Sequence, residues 1–152
     1  MMIMPDERIR LRAATPDDAA EIAALLSELG HPAEEAAIPM RLAAVLSEGG
    51  AVLLAVDAAD RALGLISLAR HAALHAPGPI AYIMALVTSA TARRRGVGQM
   101  LVAAAKEWAR AQGCVRLSVT SAERRADAHA FYPACGLPYT GRRFATAITP
   151  DA

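Results

Sequence analysis

Three consecutive arginines, Arg93 to Arg95, stand directly before two closely spaced glycines, Gly96 and Gly98, and an apolar pattern typical of a helix follows. Arginine supplies permanently charged, forked donors that match phosphate oxygens. A helix start offers unpaired backbone N–H groups and partial positive charge, and glycine leaves that backbone open to close approach. The segment therefore predicts a site for a phosphate or diphosphate. For the arginines alone, a solvated surface is the alternative.

Two common nucleotide-binding motifs do not fit this segment. The motif G-x-x-x-x-G-K-[ST] needs a Lys-Ser or Lys-Thr pair, which is missing here. The motif G-x-G-x-x-G needs a third glycine, but Leu101 occupies that position. What remains is R-x-x-G-x-G, formed by Arg93, Gly96 and Gly98.

The elements on either side would position this loop between a strand and a helix. Residues 80–89, IAYIMALVTS, contain few polar side chains, which is typical of a strand covered on both faces. Residues 97–112 place Leu101, Val102, Ala105 and Trp108 on one face of a helix, which Gly113 ends.

The remaining pattern predicts an α/β fold in which helices flank a mixed, mostly antiparallel sheet. Thr15 and Pro16 begin a helix that Gly30 ends, and a more irregular helical region over 31–50 is broken near Pro39. The expected order is β1-α1-α2-β2-β3-β4-α3-β5-α4-β6, in a single domain over 1–152 with its core at about 8–148. The further expected strands are 8–14, 51–56, 62–72, 115–121 and 142–148, and the last helix is 123–136.

Composition excludes several classes of protein. The 152 residues are 55% hydrophobic and carry a net charge of +1, so a globular domain is expected and a nucleic-acid partner is not. The two cysteines, Cys114 and Cys135, form neither a disulfide framework nor a C-x-x-C metal pair, and no metal is expected. The first residues do not match a signal peptide, and no apolar run reaches the ~18 residues of a membrane span. We therefore expect a cytoplasmic protein with no membrane partner.

The sequence resembles the GNAT family, the GCN5-related N-acetyltransferases, over nearly its whole length. That family carries [QR]-x-x-G-x-[GA] between its fourth strand and third helix, matching Arg93, Gly96 and Gly98. A later A-x-x-F-Y-x-x-x-G, at Ala128 to Gly136, follows in the family's order and separation. The two motifs together are far more specific than either one alone.

The resemblance implies acetyl-CoA as the acetyl donor and an N-acetyltransferase fold. In the family, the fourth strand bulges away from its neighbour and its exposed backbone pairs with the pantetheine arm, while the following loop holds the diphosphate. The coenzyme-binding residues carried over on this basis are Leu86, Val87, Thr88, Arg93, Arg94, Arg95, Gly96, Val97, Gly98, Gln99, Ala128 and Phe131. Arg125 departs from the family pattern, because it stands where Asn is common, and it is a candidate contact for a coenzyme phosphate instead.

Tyr132 matches the family tyrosine that protonates the leaving thiolate, which makes it the expected catalytic residue. Many members carry Glu or Asp on the fourth strand as a base, but Met84 and Ala85 stand there instead. The base is left open among ordered water and several side chains. Pro133 follows Tyr132 inside the expected helix and affects the orientation of the Tyr132 phenol, because a proline within a helix distorts the preceding turn. The candidate bases are Glu123, Asp127, His129, His71 and His75.

The resemblance implies a primary amine of a small molecule or peptide as acceptor, acetylated by direct attack in a ternary complex. His31, His71 and His75 are candidate acceptor contacts, although each fits an ordinary loop or strand-end residue equally well. Glu34 and Glu35 would attract a cationic amine or simply begin a helix. A CoA-binding regulatory or assembly module with little catalysis is the alternative, and pairing through the last strand would give a homodimer.

Overall fold

Five strands form one mixed sheet in the order β1-β2-β3-β4-β5. The computed structural model describes residues 8–119, 126–141 and 144–148, with only the backbone of 126–129. Neighbouring strands are antiparallel except β4 and β5, which run parallel. The strands are β1 (Arg10–Ala13), β2 (Ala51–Val56), β3 (Ala62–His71), β4 (Ile80–Thr88) and β5 (Arg116–Val119).

The helices within the described residues are α1 (Ala19–Leu29), α2 (Ile38–Ser47), α3 (Val97–Ala111) and α4 (Ala126–Ala134). The chain divides into two compact units, Met1–Val119 and Thr120–Ala152. The sheet and the first three helices belong to the first unit, and α4 belongs to the second. The mixed α/β fold expected from the sequence is confirmed, whereas the single domain stays a prediction.

The start of α2 differs from the expected break near Pro39. A 3-10 turn over Glu35–Ala37 precedes the helix, and Pro39 lies in its first turn. A proline is tolerated there because the first N–H groups of a helix have no acceptor within the helix. The interruption therefore falls before Pro39, and the proline helps to begin the helix.

The two faces of the sheet are covered by different helices. Leu54, Leu65 and Val87 belong to a buried cluster with Ile22 of α1 and Leu42 of α2. Successive residues of a strand point to opposite faces. Gly64, beside Leu65, accordingly faces α3, where an added Cβ would lie 2.6 Å from Val97 Cγ1. Helices α1 and α2 thus cover one face of the sheet, and α3 covers the other.

The sixth strand expected over 142–148 is not formed over residues 144–148. Arg142 and Arg143 lie outside the described residues. Phe144 is 90% exposed and Ile148 is 89% exposed. Alternating apolar residues make a strand only where a hydrogen-bonded neighbour and a face to cover exist, and no strand pairing occurs in this described segment. A homodimer stays a prediction, but the last strand, through which it was expected to pair, is not formed over 144–148.

Asp18 connects β1 to the start of α1 through two interactions. Its Oδ2 accepts a 2.8 Å hydrogen bond from the Thr15 backbone N–H. Both of its oxygens accept from the Arg12 guanidinium, at 2.9 and 2.8 Å. The Arg12 hydrogen bond is the main cause that lowers the pKa of Asp18 below its ordinary value. The Asp18 side chain is only 11% exposed, so solvent screens this pair weakly.

We expect Asp18→Asn to lower the free energy of unfolding by about 1–2 kcal/mol at pH 7, because an amide cannot accept both guanidinium donors. A depressed native pKa stabilises the fold above the unfolded value of about 3.9, and this stabilisation disappears as pH falls through the native value. The difference from wild type should therefore shrink below about pH 4. Urea unfolding at pH 7 and pH 3 measures it.

Asp17→Asn is the matched control, since Asp17 is exposed and forms no hydrogen bond or ion pair within the described residues. We expect a change of at most about 0.5 kcal/mol for this variant. An equal loss for Asp18→Asn at both pH values would contradict the role of the Arg12 pair.

Candidate active site

Strand β4 contains a bulge at Met84. Ser67 of β3 pairs with Ala85, and the next residue, Leu68, pairs with Ile83, so Met84 is an extra residue in β4. Met84 is 65% exposed. A bulge leaves its extra residue out of the ladder and bends the strand locally. The bulge expected in this strand is therefore present.

The pairing of β4 with β5 covers only the first half of β4 within the described residues. It runs from Ile80 with Arg116 to Ile83 with Val119, where the first described segment ends. Beyond the bulge, Leu86, Val87 and Thr88 pair with β3. Val87 is buried, whereas Leu86 and Thr88 are partly exposed. These are the three residues expected to line the pantetheine arm.

The loop after β4 carries the three arginines. It makes a 3-10 turn over Ala90–Ala92. Arg93 and Arg94 are exposed, and Arg94 has a φ of 65°. A side chain other than glycine is uncommon in this left-handed region and costs of order 1 kcal/mol. The loop thus holds two exposed guanidinium groups immediately before α3.

Glu28 of α1 fixes the start of this loop. Its Oε1 accepts a 3.0 Å hydrogen bond from the Ala90 backbone N–H. No local sequence pattern indicates this role, because the bond joins residues that lie far apart in the chain. It ties the helix on one face of the sheet to the arginine loop.

Helix α3 begins at Gly96, whose φ of 76° and ψ of 13° are left-handed. The Gly96 carbonyl accepts the first hydrogen bond of the helix, from Met100 N–H, at 3.0 Å. The N–H groups of Val97, Gly98 and Gln99 consequently have no acceptor within the helix. Val97 itself is 1% exposed and anchors this end against the sheet. The helix start is therefore fixed in place, and its first three amides are not used by the hydrogen bonds of the helix itself.

The second unit contains the tyrosine motif on α4. Phe131 and Tyr132 contact edge to face, with ring centroids 5.2 Å apart at 72°. Pro133 lies inside the helix, as expected from the sequence. Gly136, at φ 90°, follows the helix, and Leu137 N–H donates to the Tyr132 carbonyl at 2.9 Å. Tyr132 is half-buried.

Several predicted site residues cannot be placed by their side chains. Arg125 and Glu123 lie outside the described residues, and only the backbone of Asp127, Ala128 and His129 is described. Their roles stay predictions.

The three histidines named as candidate acceptor contacts are exposed. His31 follows the end of α1, and His75 lies between β3 and β4. His71 pairs with Ile80 at the start of β4 and contacts the Tyr82 ring, with centroids 5.6 Å apart. At about 3.3 Å per residue, this end of β4 is roughly 26 Å from the end that leads into the arginine loop. The structure therefore does not bring His71 together with the loop.

A cavity of about 140 Å³ lies between α1, α2 and the sheet. Its sheet side includes Ser67 and Ala85, the pair immediately beside the bulge. Among the described residues that line it, there is no histidine, aspartate or glutamate. The other lining residues are Ile22, Leu26, Ile38, Arg41, Leu42, Val45, Val52 and Leu65.

Arg41 and Ser67 are the polar side chains of this cavity, and sequence reasoning had singled out neither. Arg41 is exposed, so it lies at the mouth, and Ser67 is half-buried on the sheet side. Neither side chain has a hydrogen bond or ion pair with another described residue. Their roles depend on how α2 packs over β3, which no local motif encodes.

Two general features concern metals and membranes. Within the described ranges, no three side chains of His, Cys, Asp or Glu gather where they would hold a metal ion. None of the described helices has both the length and the apolar character needed to cross a bilayer.

The chain matches a family model described as Acetyltransferase (GNAT) family over residues 19–137. It is 31% identical over 147 residues to an aminoglycoside N(6')-acetyltransferase type 1 of Stenotrophomonas maltophilia, covering 93% of this chain and 95% of that protein. It is also 32% identical over 113 residues to the uncharacterized N-acetyltransferase YhdJ of Bacillus subtilis, covering 74% and 79%.

Solved structures share the fold at lower identity. A Trypanosoma brucei acetyltransferase has a TM-score of 0.80 at 20% identity, covering 92% of this chain and 99% of that one. An aminoglycoside antibiotic 6'-N-acetyltransferase of Acinetobacter baumannii has a TM-score of 0.79 at 18% identity, covering 93% and 98%. At these identities the likeness concerns the fold alone.

Proposed function

This chain belongs to the GNAT acetyltransferase family, and from that premise we propose that it transfers the acetyl group of acetyl-CoA to a primary amine. One observation carries the proposal. The bulged strand β4, the exposed arginines and the left-handed Gly96 that begins α3 follow one another directly in the chain. Together they supply a strand edge, a cationic loop and helix-end amides in the order that a long, phosphorylated thioester requires.

The diphosphate of the coenzyme would bind at the start of α3. The amides of Val97, Gly98 and Gln99 have no acceptor within the helix, and the helix dipole favours an anion there. Arg93 and Arg94 are exposed beside them and would pair with phosphate oxygens. The residues present therefore fit a diphosphate by both charge and backbone access.

The pantetheine arm would lie along β4 beyond the bulge, at Leu86 to Thr88. An extended amide chain can add to a strand as a further strand would, through backbone hydrogen bonds. The bulge at Met84 bends β4, and Leu86 to Thr88 follow it while pairing with β3 on one side. That arrangement supports an arm running between the bulge and the arginine loop.

In the proposed chemistry, the neutral amine attacks the thioester carbonyl, a C–N bond forms and the C–S bond breaks. The amine loses a proton to a base or to ordered water, and the leaving thiolate gains one. Tyr132 would donate the second proton from its phenol. Met84 and Ala85 cannot accept the first one, so we propose water as the carrier on the β4 side.

The name of the Stenotrophomonas relative raises aminoglycosides as one class of acceptor for this chain. Such amines are polycations, and an acidic pocket would be expected to receive them. The charges of the side chains that line the cavity therefore decide how well an aminoglycoside suits this chain as an acceptor.

Tyr132→Phe tests the proposed mechanism. We expect at least an about tenfold fall in the rate of acetyl transfer, because removing a general acid typically costs about a hundredfold or more and water partly replaces it. Affinity for CoA should change less than about threefold, since the phenol acts on the leaving group. Free thiol release over a panel of amines and calorimetry with CoA measure the two quantities.

The alternative, a CoA-binding module with little catalysis, is favoured by the missing acid at Met84 and Ala85 and by Pro133 within α4. Tight CoA binding without thiol release above background on the whole panel would support this module. Absence of heat with acetyl-CoA or CoA at millimolar concentration would contradict both functions.

A further inference from the structure

We propose that the cavity between α1, α2 and the sheet receives an amine that carries one apolar group and one carboxylate, the chemistry of a hydrophobic amino acid. This inference rests on the proposed acetyl transfer and names its acceptor class. Four features of the cavity support it: its size, its aliphatic walls, its place beside the bulge and Arg41, the one cation among its described lining residues.

The size and walls of the cavity suit one compact apolar group. Its volume is about 140 Å³, and residues such as Leu26, Leu42 and Leu65 line it. A cavity of about 150 Å³ with aliphatic and aromatic walls holds a benzene ring in another protein. One aromatic ring or one branched aliphatic chain would therefore fill this space and displace poorly bound water from it.

The sheet side of the cavity lies beside the point where acetyl transfer is proposed. Ala85 lines the cavity and directly follows the bulged Met84, and Ser67 pairs with Ala85 across the sheet. The Ser67 hydroxyl has no hydrogen-bond partner among the described residues. It would accept a hydrogen bond from the amine and hold its nitrogen near β4.

The charge at the mouth of the cavity selects an anionic group. Arg41 lines the cavity, is exposed, and forms no ion pair with a described side chain. Its guanidinium can hold a carboxylate by two parallel hydrogen bonds. Glu34 and Glu35 precede α2 but do not line the cavity. A polycation would meet Arg41 with no acidic partner among the described lining residues, and like charges in contact are unfavourable.

Acetyl transfer to matched amines tests the inference. Phenylalanine and leucine keep the carboxylate, their amides lose it, and kanamycin is the polycation. We expect kcat/KM for at least one of the two amino acids to exceed that of its own amide and of kanamycin by about tenfold or more. Faster transfer to kanamycin or to the amides would overturn the inference while the proposed acetyl transfer stands.

Arg41→Gln identifies the group that recognises the carboxylate. We expect its KM for the preferred amino acid to rise about tenfold and its KM for the amide to change less than about twofold. Arg110→Gln is the control, because Arg110 is an exposed arginine on α3, on the other face of the sheet, paired with Glu107. Equal effects of Arg41→Gln on the acid and the amide would overturn the role of Arg41.

Binding without turnover separates this inference from the proposed function. Calorimetry with N-acetylphenylalanine and N-acetylleucine, which keep the apolar group and the carboxylate, should give heat with the wild-type chain and about tenfold weaker binding with Arg41→Gln. Such binding together with no transfer to any amine would overturn the enzyme and support the site. No binding of either compound and no transfer to either amino acid would overturn the site.

Discussion

Replacing Gly64 by alanine is expected to lower the free energy of unfolding by about 2 kcal/mol, because the added methyl group has no space. Its Cβ would lie 2.6 Å from Val97 Cγ1, 3.0 Å from the Val87 carbonyl oxygen and 3.1 Å from Leu101 Cδ1. The side chains have to move, and Val97 is the first residue of α3. The start of α3 should therefore shift, and CoA affinity should fall with stability. Urea unfolding and calorimetry with CoA measure both effects.

A double-mutant cycle separates this clash from other effects of the substitution. Val97→Ala removes the nearest obstructing atom, so we expect Gly64→Ala to cost at least about 1 kcal/mol less in that background. The lost stability should not be recovered completely, because the added Cβ still lies close to the Val87 carbonyl oxygen. Gly141→Ala is a control, since a Cβ at Gly141 would meet no atom of the described residues within 4 Å. Additive losses in the cycle would contradict close packing of α3 on Gly64.

Replacing Gly96 by alanine is expected to weaken CoA binding by about tenfold or more and to cost about 1–2 kcal/mol in stability. An L-residue pays that much for the left-handed conformation that Gly96 adopts at φ 76°. The chain can relieve the strain only by turning the peptide that leads into α3. Such a turn would reorient the first amides of the helix, which are the proposed phosphate donors. Chemical unfolding and calorimetry with CoA measure the two changes.

Gly98→Ala is the matched control for this substitution. Gly98 lies within the first turn of α3, where alanine stabilises a helix relative to glycine by up to about 1 kcal/mol. The family motif also allows alanine at this position. We therefore expect unchanged or higher stability and an affinity for CoA within about threefold. Similar losses for both alanine variants would show that backbone conformation at Gly96 is not the cause.

Elements with a strong local signal were predictable from the sequence. We expected the apolar strands β2 to β4, the helix that follows Gly96 and the helix that ends at Gly30. Their signals, the period of apolar residues and the glycines next to helix ends, come from residues that are close together in the chain. The strand expected at 142–148 was wrong over 144–148, since alternation alone does not supply a neighbouring strand. The bulge in β4 was expected from the family resemblance and has no clear local signal.

The cavity was only partly predictable. His31, Glu34 and Glu35, which precede α2, were named as possible contacts of the acceptor, but Ser67, on β3, has no motif to distinguish it. Ser67 lines the cavity because α1 and α2 lie over β3 and β4, and it pairs with Ala85 across the sheet. The Glu28 bond to Ala90 is unpredictable for the same reason. Long-range packing determines both features, and a sequence pattern records only neighbours along the chain.

The bulge also indicates which parts of β4 folding itself requires. Ile83 is already opposite Leu68, and Ala85 is already opposite Ser67, as they would be in an uninterrupted ladder. A chain one residue shorter at position 84 would therefore keep the same partners and the same faces on both sides. Met84 is therefore an extra residue that the hydrogen-bond ladder of the sheet does not require. Pairing within the sheet does not explain the bulge, whereas a molecule bound along β4 would give it a purpose.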